Sequence, residues 1–262
     1  MPIKAQLSFM IETLRIYIAQ RFPALMFFWL ALFLFFYTVP FHALNPFSLF
    51  NVFKILFMLW SMRLYDDVMQ WENDQEFEDR IYTQETSRSK LILPLVLSLT
   101  LSVVLCVNDS LDYNMAAIWL YFIVVNHLLY KALVHKPFWS FLLPLLKYPV
   151  LYFYISFSYV ISEELTFNDS SSALALLLSF VVYDLIDNRE EGSFSILIYG
   201  LVALSVALML IPNMNVVTFI SGVIIMIIAL VLVILNFNRQ IVPMVWLVLI
   251  LLFKLIVNNY VI

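Results

Sequence analysis

Two stretches of this chain carry most of its acid. Of 18 acidic residues, eight fall in Asp66-Asp67-x4-Glu72-x-Asp74-x-Glu76-x-Glu78-Asp79-x5-Glu85, and four in Asp184-x-x-Asp187-x-x-Glu190-Glu191. Each cluster begins where a long apolar run ends. In the first, Asp66, Gln70 and Asp74 are spaced by four, so a continuing helix sets them on one stripe with Asp67 beside it. In the second, Asp184, Asp187, Asn188 and Glu191 share a stripe by helical spacing. Like charges stacked this way repel, and each stripe weakens its own helix unless a cation sits on it. Two carboxylate stripes at the mouth of a helical bundle suit hard divalent cations. Magnesium takes oxygen ligands, keeps several waters and binds through one or two carboxylates plus substrate phosphates. The chemistry expected of Asp67, Asp74, Asp184 and Asp187 is therefore metal-assisted handling of a phosphorylated substrate. Glu76, Glu78, Asp79 and Glu85 read as solvated loop acids.

The elements that must position these groups follow from composition. The chain has 262 residues, of which 64% are hydrophobic and 12% charged. That excludes disorder, which needs low hydrophobicity and high charge. A soluble globule would have to expose large apolar patches, which water disfavours. With only three glycines, Gly192, Gly200 and Gly222, no glycine-rich nucleotide loop can be written. A net charge of −4 gives no reason to expect nucleic acid as a partner. The single cysteine, Cys106, sits in an apolar run and reads as a packing residue. Lys4, Glu12, Arg15 and Arg21 interrupt the N-terminal segment, which is not the pattern of a cleavable signal.

The fold class expected is an all-α integral membrane protein: one transmembrane domain over residues 1–262. About 20 apolar residues cross the hydrocarbon. Nine such stretches run near 22–41, 46–65, 91–108, 113–131, 138–161, 171–187, 194–211, 216–236 and 241–260. Turn signals separate them, among them Asn45-Pro46, Lys136-Pro137 and Pro212-Asn213. Residues 1–21 contain an amphipathic helix expected at the interface, and 22–262 a nine-helix bundle around a central apolar cavity. Lysine and arginine mark the cytoplasmic side. Lys4, Arg15 and Arg21 precede the first span, and Arg63, Arg80, Arg88 and Lys90 follow the second. Lys131, Lys136, Arg189 and Arg239 lie in later even-to-odd connections, and the opposite connections hold none. The N-terminus and both acidic clusters are thus expected in a cytoplasmic polar cap, with the C-terminus on the opposite side.

Arg63 to Asp74, read as RLYDDVMQWEND, resembles the first motif of the UbiA-type intramembrane prenyltransferases, N-D-x-x-D-x-x-x-D, which closes the second transmembrane helix. Asp184 to Gly192, DLIDNREEG, resembles the second motif, D-x-x-x-D followed by glycine, at the end of helix six. The chain departs from that pattern at three places. Asp66 stands for the usual asparagine, Gln70 for the middle aspartate, and Asn188 for an aspartate if Gly192 sets the register. Asp187 with Glu191 offers a D-x-x-x-E pair in another register.

The resemblance implies a magnesium-dependent prenyltransferase. It would move an isoprenyl group from an isoprenyl diphosphate to a lipophilic acceptor, within membrane lipid. The metal set it implies is Asp66, Asp67, Asp74, Asp184, Asp187 and Glu191. The substrate-binding set is Arg63, Asp66, Gln70, Arg80, Lys136, Lys147, Asn188 and Arg189. Metal and basic side chains would stabilise the leaving diphosphate. Arg63, Arg80, Lys136 and Arg189 serve equally as orientation marks. Tyr130, Tyr148, Tyr152 and Tyr154 are candidates to face an allylic cation, and equally packing residues. Lys147, within the fifth span, either meets substrate charge or pairs with a motif aspartate. Lys54 and Lys254 lie deeper and are expected to snorkel outward. His127 is a candidate base, or with Asn126 an interhelical contact. On this reading Asp67→Ala or Asp184→Ala abolishes activity without unfolding the protein. The alternative is a catalytically weak or inactive relative of the same fold, acting as a prenyl-lipid binder or assembly partner. A cation transporter would place its acids at the midplane rather than at span ends.

Overall fold

The computed structural model describes residues 3–39, 44, 48–75, 83, 87–107, 113–133, 135–159, 167–187, 195–211, 214–234 and 242–259. No strand occurs among them. The helices are α1 (Ile3–Arg21), α2 (Ala24–Thr38), α3 (Ser48–Met69), α4 (Trp71–Asp74), α5 (Arg88–Val107), α6 (Tyr113–Leu133), α7 (Pro137–Leu142), α8 (Lys147–Tyr159), α9 (Phe167–Asp187), α10 (Ser195–Leu210), α11 (Val216–Ile234) and α12 (Val242–Asn259). Helix lies in every one of the nine apolar stretches. Among the described residues, Arg88–Cys106, Ala116–Leu133 and Asp169–Ile186 are long and apolar enough to cross a membrane. Ile11–Arg21 with Ala24–Thr38 makes a fourth if this bent pair is one span. Leu197–Leu210, Val216–Leu232 and Val242–Asn258 are shorter apolar helices.

Proline sets two of the breaks. Pro23 disfavours helical backbone at Phe22 and has no N–H to donate. There α1 gives way to α2 with a bend of 67°. The rings of Phe22 and Phe27 stack across the corner at 3.9 Å. The fifth stretch is likewise not one continuous α-helix. Pro144 falls in a 3-10 turn, Leu143–Leu145, between α7 and α8. Lys147 is thereby the first residue of a new helix rather than the middle of a long one.

The helices gather into two compact units. The first comprises Met1–Leu32 and Phe47–Lys147. In it α3 packs on α5, and α5 packs on α1 and α6. The faces of α5 explain its setting. Ile92, Leu93, Val96, Leu97, Leu101 and Val104 are exposed, while Leu91, Leu95, Ser98, Ser102 and Cys106 are buried. A largely apolar outer face, with the hydroxyls of Ser98 and Ser102 turned inward, is the arrangement lipid favours and water does not. Trp119 Nε1 of α6 donates to Ser102 Oγ at 2.8 Å, so the inward hydroxyl also ties two helices together.

The second unit comprises Phe33–Pro46 and Tyr148–Ile262. Here α9 packs on α10 and α12, and α11 packs on both of those. Gly222 of α11 sits where an added Cβ would lie 3.1 Å from Leu210, 3.2 Å from Phe253 and 3.2 Å from Val206. Close backbone approach at a glycine is a common way for membrane helices to associate. Trp246 Nε1 donates to the Ser179 carbonyl at 3.0 Å. Lys54 of the first unit and Lys254 of the second do not snorkel. Both are buried. Lys54 Nζ lies 4.7 Å from the centre of the Phe50 ring, and Lys254 Nζ donates to Ser172 Oγ at 2.7 Å. Lys254 thereby has a buried partner within reach, which weakens the drive to extend to the interface.

Candidate functional site

The first acidic motif closes α3 in the first unit. Asp66, Asp67 and Asp74 are all buried. Consecutive helical residues point about 100° apart, so the neighbours Asp66 and Asp67 address different elements. Asp66 accepts from Lys147 Nζ at 2.5 Å and from the Tyr130 hydroxyl at 2.7 Å. Asp67 accepts from Arg21 through Nη2 at 2.7 Å and Nε at 3.1 Å, a two-pronged contact. The Tyr17 hydroxyl donates to the same carboxylate at 2.7 Å. Arg63, one turn back on α3, brings Nε to 3.4 Å.

Spacing by four assigns Asp74 to the stripe of Asp66. The structure instead gives Asp74 to the partner of Asp67: Arg21 Nη2 lies 4.0 Å from Asp74 Oδ2. Seven residues close two turns within about 20°, whereas eight overshoot by about 80°. The chain stays close to helical through the junction, with Gln70 N–H on the Asp66 carbonyl at 2.9 Å and Asp74 N–H on the Gln70 carbonyl at 2.9 Å. Gln70 stays with Asp66 and hydrogen-bonds Tyr130.

Both aspartates lie just past the apolar stretch that ends at residue 65. Burial alone would raise the Asp67 carboxyl, but Arg63, Arg21 and Tyr17 together hold it below the ordinary carboxylate range. For Asp66, burial outweighs Lys147 and Tyr130 and pushes the carboxyl up. Three acids here face three bases, Arg21, Arg63 and Lys147, so the cluster is close to neutral.

Of the two roles open to Lys147, the structure shows the pairing with a motif aspartate. His127 makes the interhelical contact, its Nδ1 lying 3.2 Å from the Tyr65 hydroxyl. Asn126 is buried, and neither atom of its amide group has a hydrogen-bond partner among the described residues. Lys136 is exposed at the start of α7. Tyr130 is committed to Asp66, and Tyr65 meets its ring edge-on at 5.5 Å. In the second unit, Tyr148 stacks on Phe180 at 3.5 Å, which is packing. Tyr152 approaches Asp169 at 3.4 Å, and Tyr154 is buried.

The second motif begins at the end of α9. Asp184 is half-buried, and Asp187 is the last residue of the helix. The side chain of Asp187 and all of Asn188, Arg189 and Glu191 lie outside the described residues, as does Arg80. Among the described residues no three His, Cys, Asp or Glu side chains gather as a metal group. The donors of the first motif suit magnesium in kind, being carboxylate oxygens, but Asp66 and Asp67 are already in contact with basic side chains.

Sequence reasoning missed Tyr17 and Arg21. Residues 3–20 read as an interfacial helix, and Arg21 served only to orient the chain. The signal was the spacing by four of Thr13, Tyr17 and Arg21, one stripe of α1, of which Thr13 and Tyr17 are buried.

Fold and site define an all-helical protein with membrane-type apolar helices and a buried, charge-balanced cluster at the end of α3. Comparison with family models, curated proteins and solved structures finds no match for this chain.

Proposed function

We propose that this chain is a UbiA-type intramembrane prenyltransferase, with nine crossings, a cytoplasmic N-terminus and the C-terminus on the opposite side. The observation that carries this reading is the cluster itself: Asp66, Asp67 and Asp74 buried against Arg21, Arg63 and Lys147 in a chain that is 64% hydrophobic. Charged groups in such a setting are costly and mark function by default. The three basic groups receive the oxygens of the diphosphate, and the aspartates hold those groups in place beforehand. Because acids and bases in the cluster balance, a bare diphosphate gains little there, so the substrate binds as its magnesium complex. Asp67 and Asp74 would hold the metal, and the resemblance assigns Asp184 and Asp187 the same task. Magnesium supplies stabilisation of charge developing on the leaving group.

Membranes containing the protein, given labelled prenyl diphosphates of several lengths, are expected to yield a labelled lipid only with magnesium. Lys147→Gln should abolish the product, and Lys147→Arg should keep part of it. Wild-type membranes that neither transfer nor retain any label would refute the proposal. A second reading is favoured by the prior engagement of Asp66 and Asp67 and by Gln70: a catalytically silent prenyl-lipid binder. Label retained with magnesium but never transferred marks that case.

A further inference from the structure

A concave apolar groove of about 740 Å³ lies within the first unit, between α3, α5 and α6. On α3 it is lined by Tyr65, Val68 and Met69, a face that neither Asp66 nor Asp67 shares. It is therefore separate from the ion cluster. Along α5 it runs from Arg88 to Leu99. At 1.5 Å per residue that is roughly 16 Å, about half of a ~30 Å hydrocarbon core. The length suits one chain of a lipid from a single leaflet. The head of the groove is basic. Arg88 lines it, and its partner Glu72 is 3.5 Å away with 79% of its side chain exposed. Exposed pairs of this sort are weak and readily exchanged for a better anion. Ser89 adds a hydroxyl at the same end.

We infer that this groove is a binding site for one anionic phospholipid, its phosphate on Arg88 and one acyl chain lying between α5 and α6. Charge selects the head, and length limits the chain to a single leaflet. A zwitterionic lipid brings its own cation to Arg88 and gains less.

The test counts lipids retained by the purified full-length chain in native mass spectrometry, after exposure to phosphatidylglycerol, phosphatidylcholine or farnesyl diphosphate. One phosphatidylglycerol per chain is expected, at least tenfold more than phosphatidylcholine. Arg88→Gln should erase that preference, and Glu72→Gln should strengthen it. Val96→Trp, at a groove position that is 53% exposed and so tolerates bulk, should reduce retention of both phospholipids at least tenfold. Equal retention of the two phospholipids by wild type overturns the inference. So does phosphatidylglycerol retention unchanged by Arg88→Gln, or retention of farnesyl diphosphate alone that is lost in Val96→Trp.

Discussion

Replacing Asp67 by alanine separates a carboxylate that only awaits substrate from one that holds the fold together. In the structure Asp67 takes two contacts from Arg21, one from Tyr17 and an ion pair from Arg63. Its removal takes the nearest carboxylate from an Arg21 side chain that is only 14% exposed, and an acceptor from the buried Tyr17 hydroxyl. Breaking a buried pair from one side costs about 3–5 kcal/mol. Two features place this case near the lower end. Arg21 has Asp74 at 4.0 Å to fall back on, and Arg63, at 28% exposure, can turn to solvent. A loss of about 3 kcal/mol corresponds to a fall in Tm of roughly 6–12 °C for a chain of this size. Thermal unfolding of the purified protein in detergent reads it directly. Arg21→Ala should cost less, because Arg63 and Tyr17 remain on Asp67. The double variant should be less destabilised than the summed singles by at least about 1 kcal/mol. Asp67→Ala melting within about 2 °C of wild type, or strict additivity with Arg21→Ala, would refute the reasoning. The simpler expectation from sequence, lost activity in an intact fold, would then stand.

The pH dependence follows with its sign. Asp67 has a lowered folded-state pKa, so its stabilisation is complete above the unfolded value near 3.9 and fades as pH falls through the folded one. The gap between wild type and Asp67→Ala should stay level from pH 6 to 8 and close only below about pH 4, by unfolding at each pH. Gly222→Ala should cost about 1–3 kcal/mol by overpacking against Leu210, Phe253 and Val206, whereas Gly200→Ala, with nothing within 4 Å, should gain up to about 1 kcal/mol in helix propensity. Asn126→Leu should stabilise the protein by about 1–3 kcal/mol, since it removes a buried amide with no partner among the described residues. Lys254→Met should change stability by no more than about 2 kcal/mol, because one serine hydroxyl, the face of Tyr37 and the charge of Asp169 only partly replace the hydration of an ammonium. A fall in Tm larger than that would show that Lys254 has a stronger partner than these.

Much of the secondary structure is legible in the sequence because it is local. Apolar runs and proline or asparagine punctuation place helices within a few residues of where they form. The break at Pro144 is local too, yet the apolar run hides it. What a linear pattern does not carry is destination. Asp66 and Asp67 look equivalent in sequence, but a 100° step sends one to Tyr130 and Lys147 and the other to α1. Lys147 stands out as a lysine among apolar residues, which is why pairing with an aspartate could be anticipated. Arg21 sits at the end of an apolar-polar helix, where a basic residue is ordinary, so its role emerges only when α1 and α3 meet. Lys254 and Ser172 are 82 residues apart, and no spacing rule links them.

The separate loyalties of Asp66 and Asp67 also set a schedule for biosynthesis. Arg21 precedes Asp67 by 46 residues, so this partner is already made when α3 emerges from the ribosome. Lys147 follows Asp66 by 81 residues. At about 5–20 residues per second, roughly 4–16 seconds of translation pass before it exists. Through that interval Asp66 lacks its nearest counter-charge, with the more distant Arg63 already made. The N-terminal helix can latch early, while the turn after Pro144 delivers the closing cation late.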